Sequence, residues 1–346
     1  MGNKTPSNNE KCRIFYLDVA RGFAILFMFA QHCMIVHEKT AGEGSNLLAN
    51  FFVLLGTAPA APVFMLIMGI FLMASKASLQ KNIIRGIKLI FLGYLLNLLR
   101  FTIPLLITGT FGFQYATGET PTSMFLATDI LQLAGLSIVV GSLIKNIIDN
   151  KIIAPITIAA ILLISPFLWH KFGDSYLFSV LCGNGKNVYF PFFPWFIYPL
   201  LGMYLSRLLL DMPRKREYLK ELLWIGFSII IVGILTFDIF PVGDYHRSGA
   251  AIHLIIIGLV FIWLPICLWV SNKYGDKNEI LNIIVFWSEN VTAVYFIQWV
   301  LFGWSILIFD ANNQNAHIAA LIGLVVLIAT HLLVKIPKIR NAFSWI

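Results

Sequence analysis

The sequence predicts an all-α protein, a polytopic bundle of about ten transmembrane helices with both termini in the cytoplasm. The first observation is composition, because 58% of the residues are hydrophobic and only 12% are charged, against roughly 25% charged in an average soluble domain. So little polar surface cannot cover this chain in water, so lipid must be its solvent. The other two observations are recurrent long apolar stretches and the alternation of basic residues between successive loops.

Apolar stretches of about 20 residues, the length that crosses a bilayer, recur along the whole chain. They predict helices at 14–36, 50–74, 83–107, 123–144, 152–169, 190–210, 220–240, 250–271, 288–309 and 315–336. The run 280–309 is too long for one span, and polar residues interrupt it at 287–290, so 280–287 is expected to be an interfacial lead-in. The polar start and the long first apolar stretch argue against a cleavable signal peptide.

The basic residues orient these helices. With the N-terminus inside, most of the 25 Lys and Arg residues fall in cytoplasmic segments, as the positive-inside rule requires. The outside segments would hold only Lys39, Arg100, Lys171, Lys186 and Arg247, while Arg21 and Lys88 fall within spans. The transmembrane domain would cover 14–336, between cytoplasmic tails at 1–13 and 337–346. The outside loops 37–49, 108–122, 171–188 and 241–249 are Gly-rich or aromatic and are candidates for a mouth that admits substrate.

Several classes of site are disfavoured. The four cysteines, Cys12, Cys33, Cys182 and Cys267, are scattered without a CxxC pair, which argues against a disulfide framework or a zinc site, so no metal is expected. The formal charge of +8 is explained by the topology signals, so a nucleic-acid partner is not expected. The sequence contains no Gly-rich phosphate loop, HExxH or GxSxG motif.

The first predicted helix carries three ionisable residues, Asp18, Arg21 and His32. An ionisable residue inside a membrane span indicates function by default, because a charge in hydrocarbon is costly. The eleven positions from Arg21 to His32 turn the helix by about 1100°, about 20° short of a repeat, so both lie on one face about 16 Å apart. Asp18 lies three residues before Arg21, close enough to pair with it. The alternatives are a structural clamp for the pair and a packing role for the histidine.

Other polar side chains in the spans are further candidates. Arg85 and Lys88 open the third helix and would hold phosphates or anchor the helix by snorkelling. Asp129 and Gln132 would line a site or form an interhelical hydrogen bond. The remaining candidates are polar or aromatic residues of later helices, namely Trp195 with its neighbours Pro191 and Pro194, and Asn290, Tyr295 and Gln298. His253 and His331 are interpreted as packing residues.

Six segments in order resemble one family. The strongest is RIFYLDVARGFAILFMFAQH at 13–32, in which LDxxRG is followed by a His eleven residues after the Arg. The others are APVFMLIMG at 61–69, RGIKLIFLGYLL at 85–96, DILQLAGL at 129–136, PFFPWFIYPLLG at 191–202 and NVTAVYFIQ at 290–298. Together they resemble the transmembrane acyltransferases, which include acyltransferase family 3 and the YeiB-like proteins, and they fit the heparan-alpha-glucosaminide N-acetyltransferase-like branch best.

The resemblance implies transfer of an acyl group, usually acetyl, from cytoplasmic acyl-CoA to a sugar hydroxyl or amine on the outer side. His32 matches the essential histidine of acyltransferase family 3. The lysosomal member of the family departs from this pattern, with Asn at that place and its functional His in the following loop. His37 is therefore the other candidate, and His32 is preferred. Gln298 stands where some relatives have His.

The predicted function is thus an acetyl-CoA-dependent O- or N-acetyltransferase of the bacterial inner membrane. Catalysis is assigned to His32, as general base or acyl carrier, with Asp18, Arg21 and Asp129. The donor phosphates are assigned to Arg21, Arg85 and Lys88. The acceptor is assigned to six residues: His37, Gln132, Trp195, Asn290, Tyr295 and Gln298.

Two other functions remain open from the sequence alone. A transporter of a small polar or lipid-linked solute would use the same polar stripe to line its path. A catalytically lapsed scaffold in envelope assembly is the third reading. The identity of the acceptor, direct transfer against an acyl-histidine intermediate, and monomer against homodimer are likewise open.

Overall fold

The computed structural model describes residues 14–39, 46–57, 59–111, 120–169, 171, 175–183, 187–211, 217–240, 243–275 and 277–345. The predicted tail 1–13, with Cys12, and parts of all four predicted outside loops lie outside these residues. Within them the secondary structure is helical, apart from two isolated bridges, Glu38 with Gln314 and Thr128 with Val188. The other three cysteines are buried and free.

The first half of the described chain contains nine α-helices and a π-helical turn in the middle of the third long span. They are α1 Phe15–His37, α2 Leu47–Thr57, α3 Ala60–Ala74, α4 Leu79–Asn97, the π turn Leu98–Thr102, α5 Ile103–Phe111, α6 Pro121–Phe125, α7 Ile130–Ile148, α8 Ile153–Leu168 and α9 Tyr176–Cys182.

The second half of the described chain continues with eight more helices. They are α10 Phe192–Trp195, α11 Ile197–Asp211, α12 Glu217–Leu235, α13 Ala250–Tyr274, α14 Glu279–Glu289, α15 Val291–Phe309, α16 Ala316–Lys335 and α17 Pro337–Asn341.

Eight helical stretches of the described chain are long and apolar enough to cross a membrane. They are Phe15–His37, Leu47–Ala74, Leu79–Gly109, Ile130–Ile148, Phe192–Asp211, Ala250–Tyr274, Val291–Phe309 and Ala316–Lys335. The helix Ile153–Leu168 is apolar but shorter. The prediction of an all-α multi-pass membrane bundle is confirmed, while the number of ten spans and the cytoplasmic location of the termini stay predictions.

Contacts between helix ends define two faces of the bundle, which we call proximal and distal. At the proximal face, where α1 begins, the Tyr16 hydroxyl donates to the Leu209 carbonyl at 2.6 Å and Lys145 Nζ donates to the Ser75 carbonyl at 2.6 Å. At the distal face, where α1 ends, Gln314 N donates to the His37 carbonyl at 2.8 Å.

The helix α1 lies at the centre of the bundle, in contact with α2, α3, α13, α14, α15 and α16. Its alignment with α14 and α15 is parallel, because Asp18 pairs with Ser288, His32 with Gln298, and His37 with Ser305. The polar stripe predicted on the first helix therefore faces the polar residues predicted on the ninth.

Glycines allow the helices that carry the candidate site to approach closely. A Cβ at Gly69 in α3 would lie 2.0 Å from the Pro199 carbonyl oxygen in α11, and one at Gly202 would lie 2.0 Å from the Leu66 oxygen. A Cβ at Gly86 in α4 would lie 2.6 Å from the Gly135 oxygen in α7. Small residues at such crossings let backbones touch, which is the usual basis of helix association in membranes.

The structure divides the predicted span 123–144 and contains the predicted interruption of the run 280–309. The stretch 123–144 divides into α6 and α7, because Asp129 caps α7 in a capping box with Gln132, so the helix begins at Ile130. The non-helical residues between them are satisfied by backbone pairing, in which Thr128 N donates to Asn187 O and Tyr189 N donates to Thr128 O, both at 2.9 Å. The run 280–309 is interrupted at Asn290, which separates α14 from α15.

The glycine contacts predict opposite effects for two Gly→Ala variants. Gly202→Ala places a methyl group against backbone, which should lower the melting temperature in detergent, since overpacking costs about 1–3 kcal/mol. A methyl group at Gly109 meets no atom of the described residues within 4 Å. Gly109→Ala should therefore leave the melting temperature unchanged or raise it, because Ala favours a helix by about 1 kcal/mol over Gly. Equal melting temperatures for both variants would contradict this packing.

Candidate active site

A buried ion pair forms the centre of the candidate site. Arg100 Nη2 lies 2.5 Å from Asp129 Oδ2, and the Tyr295 hydroxyl donates to the same oxygen at 2.8 Å. The side chains come from the π turn, the cap of α7 and the second turn of α15, and all three residues are buried. Two charges in such surroundings stabilise each other, and removal of either one leaves the other uncompensated.

The local backbone is built to hold this pair. Arg100 also donates from Nη2 to Asn97 Oδ1 at 2.9 Å, and the Asn97 amide donates to the carbonyls of Phe125 and Ala127 at 3.0 and 2.6 Å. Asn97 thus ties the π turn to the segment that precedes Asp129. Single π turns inside α-helices are frequent at functional sites.

The position of Arg100 corrects the sequence prediction. The charge count places Arg100 in an outside segment although the predicted helix 83–107 contains it. The structure agrees with the helix, because Arg100 is fully buried within the span Leu79–Gly109. The helix continues through the π turn into α5, so the charge lies in the bundle interior, where Asp129 compensates it. The sequence signal is a single Arg within a long apolar run, the pattern that marks an intramembrane functional residue.

The guanidinium of Arg100 keeps unused donors. Its Nε and Nη1 atoms are buried and have no hydrogen-bond partner among the described residues. The group lies over the rings of Phe101 and Trp299, with Cζ 4.2 and 4.6 Å from their centroids. Buried donors are nearly always satisfied in folded proteins, so these two nitrogens suit a ligand oxygen or a water molecule.

His32 also packs against Trp299. The two ring centroids are 4.1 Å apart, so one indole contacts both His32 and Arg100. His32 Nδ1 is 2.7 Å from Gln298 Nε2, and Gln298 Oε1 has no partner among the described residues. A turn of the amide by 180° would exchange these two atoms, so Gln298 can accept from or donate to Nδ1 and thereby set which ring nitrogen carries the proton.

His37, the alternative histidine, lies in a different environment near the distal end of α1. It is fully buried, its Nε2 is 2.8 Å from Ser305 Oγ, and its ring packs against Phe302 and Phe309. His37 thus packs between α1 and α15, with its Nδ1 buried and without a hydrogen-bond partner among the described residues.

The predicted pair on α1 is present at the proximal end of the bundle. Arg21 Nη2 donates to Asp18 Oδ1 at 2.8 Å. Ser288 of α14 joins them, because its hydroxyl accepts from Arg21 Nε at 2.7 Å and donates to Asp18 at 3.1 Å. Arg21 is thus held beside a carboxylate, and it also lines the neighbouring cavity.

A cavity of about 190 Å³ connects this proximal cluster with the centre of the bundle. Its polar lining lies at the proximal end, with Arg21, Ser75, Asn82 and Arg85, and its apolar lining includes Phe64, Met65, Met68, Phe71 and Leu89. The inner end is lined by Ile130 and Tyr295, so the cavity ends one hydrogen bond from Asp129. Its lining is therefore basic and polar at the proximal end and mainly apolar between that end and Tyr295.

The remaining predicted residues have other partners. Lys88 donates from Nζ to the Trp345 carbonyl at 2.6 Å and does not line the cavity, unlike Arg85. Gln132 uses its amide in the cap of α7 and on the Ala127 carbonyl. Asn290 donates to the Phe286 carbonyl at 2.8 Å, and Trp195 is buried and donates to the His246 carbonyl at 2.9 Å.

Comparison with known proteins gives one match. Residues 13–240 match the family described as heparan-alpha-glucosaminide N-acetyltransferase, catalytic. No curated protein and no solved structure matches the chain significantly. The matched range contains Asp18, Arg21, His32, Arg100 and Asp129. Because the match spans more than half of the sequence, the chain belongs to the heparan-alpha-glucosaminide N-acetyltransferase catalytic family, a family of membrane acetyltransferases.

Proposed function

We propose that this protein transfers an acetyl group from acyl-CoA, bound at the proximal face, to a hydroxyl or amine of a sugar at the distal face. The proximal face would be cytoplasmic and the membrane the bacterial inner membrane. The observation that carries the proposal is the cavity, which is lined by Arg21 and Arg85 at one end and by Tyr295 at the other, in a chain of this family. The Tyr295 hydroxyl donates to Asp129, so the buried Arg100–Asp129 pair lies directly behind that end.

The cavity suits the chemistry of the donor. Acyl-CoA has phosphates at one end, a long flexible arm and a thioester at the other end. Arg21 and Arg85 at the mouth would bind the phosphates, because guanidinium groups form strong charge-assisted hydrogen bonds with them. The apolar walls between Phe64 and Leu89 would enclose the arm, and the thioester would then lie beside Tyr295.

The ion pair would serve the acyl-transfer step. When the acceptor oxygen or nitrogen attacks the thioester carbon, negative charge develops on the carbonyl oxygen. The free Nε and Nη1 donors of Arg100 would stabilise that oxyanion, which is commonly the largest single contribution to such catalysis. Asp129 and Tyr295 would keep Arg100 in place.

His32 would accept the proton that the acceptor hydroxyl or amine loses. In direct transfer, the acceptor O–H or N–H bond breaks and its proton passes to His32, the bond from the acceptor to the acetyl carbon forms, and the C–S bond breaks. The CoA thiolate leaves and takes the proton from His32. In a two-step route a ring nitrogen of His32 accepts the acetyl group first, and mass spectrometry for acetylated histidine distinguishes the two.

The two histidines of α1 give a matched pair of variants. His32→Ala should insert and fold but transfer no acetyl from labelled acetyl-CoA, because the proton acceptor is missing. His37→Ala should keep transfer within a few-fold of the wild type, since its contacts are those of packing. Full activity in His32→Ala, or loss only in His37→Ala, would remove His32 from the reaction.

Arg85 and Lys88 of α4 give a second matched pair of variants, which tests the donor site. Arg85→Ala should raise the KM for acetyl-CoA by about tenfold, the effect of losing a charge-assisted hydrogen bond worth roughly 1.5–3 kcal/mol, and should leave the acceptor KM alone. Lys88→Ala should leave both unchanged, because Lys88 contacts Trp345 and not the cavity. If the two variants gave the same donor KM, Arg85 would not belong to the donor site.

A further inference from the structure

The distal face contains a second histidine site that the family match does not reach. His246 lies beyond residue 240, where the match ends, in the segment 243–249 between α12 and α13. Its half-buried ring lies among the rings of Tyr189, Phe190 and Tyr245, with centroids 5.6, 5.5 and 5.2 Å away. One ring nitrogen, Nδ1, is buried and has no hydrogen-bond partner in the described part of the chain.

The loop that carries His246 is fastened to three other parts of the fold. The Tyr245 hydroxyl donates to the Thr57 carbonyl at 2.5 Å, and Trp195 Nε1 donates to the His246 carbonyl at 2.9 Å. Arg247 pairs with Asp244 at 2.6 Å and donates to the Gly183 carbonyl at 2.5 Å. A surface loop with this many fixed contacts holds its central side chain in one position.

That position connects to the catalytic centre. Tyr189 N bonds to the carbonyl of Thr128, the residue before Asp129, and the Tyr189 side chain is close enough to Arg100 to interact with it electrostatically. His246 also lies close enough to the backbone of Tyr189 and to the charge of Asp129 to interact with both electrostatically. His246 and Tyr189 thus lie on the distal side of the Arg100–Asp129 pair, opposite the cavity that opens proximally.

The protonation state of His246 fits a hydrogen-bond acceptor. Burial lowers the pKa of His246 below the ordinary value of 6.5. The positive charge of Arg247 also lowers it, whereas the negative charges of Asp244 and Asp129 raise it. The ring is therefore neutral at pH 7 and offers a lone pair. Acceptor binding should stay constant above about pH 6.5 and weaken only as the pH falls through the lowered pKa.

We infer that His246, with the rings of Tyr189 and Phe190, forms the subsite for a carbohydrate acceptor, in which Nδ1 accepts a hydrogen bond from a sugar hydroxyl or amine. Aromatic faces pack against the apolar faces of sugar rings, while the imidazole fixes the orientation of the polar groups. His246 is a positioning residue here, and the chemical step stays with the centre beside it. This assignment rests on the proposed function.

The test separates acceptor binding from donor binding. With labelled acetyl-CoA and glucosamine oligosaccharides as acceptor, His246→Gln should raise the acceptor KM by about tenfold, the equivalent of 1.4 kcal/mol. The acetyl-CoA KM and the melting temperature should not change. His317→Gln is the matched control, because His317 is an exposed histidine at the start of α16.

A second measurement keeps the inference separate from the proposed function. Isothermal titration calorimetry with the same oligosaccharides detects binding without turnover, and Tyr189→Leu should weaken it as His246→Gln does. If the wild type neither binds CoA nor transfers acetyl, the proposed function is refuted. Sugar binding by the wild type and the two variants would still test the subsite. Unchanged acceptor KM and unchanged sugar binding in both variants would overturn the inference.

Discussion

The ion pair between Arg100 and Asp129 is the constraint on which the surrounding structure depends. Both charges are buried at the middle of a membrane bundle, where an unpaired charge would cost several kcal/mol. The fold accordingly departs from regular helix at each side of the pair. The π turn places Arg100, the start of α7 places Asp129, and the Thr128–Val188 bridge satisfies the backbone between α6 and α7.

Around this pair the bundle divides into a proximal and a distal half. The proximal half supplies a basic mouth and an apolar passage of about 190 Å³, which suit a molecule with phosphates at one end and a thioester at the other. The distal half supplies loops that bring Tyr189 and His246 to the pair. Two substrates approaching from opposite sides would meet at the same guanidinium, with Trp299 and His32 beside it.

Much of the fold could be predicted from sequence, because membrane spans impose strict limits on composition and length. Helical spacing likewise predicts the pairing of Asp18 with Arg21, which the structure contains. The family resemblance was also correct. These features depend on local patterns that survive without knowledge of the tertiary structure.

The centre of the site could not be predicted in the same way. Counting charges by loop assigned Arg100 to the outside, although it lies inside a span, because only the tertiary contact with Asp129 makes its burial tolerable. Lys88 and Arg85 look equivalent in sequence, but only Arg85 lines the cavity. The position of His246 depends on contacts with residues more than fifty positions away, such as Trp195 and Tyr189, so no local pattern reveals it.

The most direct test of the central claim is acetyl transfer by a variant from which both charges have been removed. Asp129→Asn keeps a good helix cap but leaves Arg100 unpaired, so it should lower both the melting temperature and the transfer rate. Adding Arg100→Met to Asp129→Asn should restore the melting temperature, because no charge then remains buried alone, while transfer stays at least about a hundredfold below the wild type. A stable double variant with wild-type transfer would contradict the account, since the pair would then be structural only.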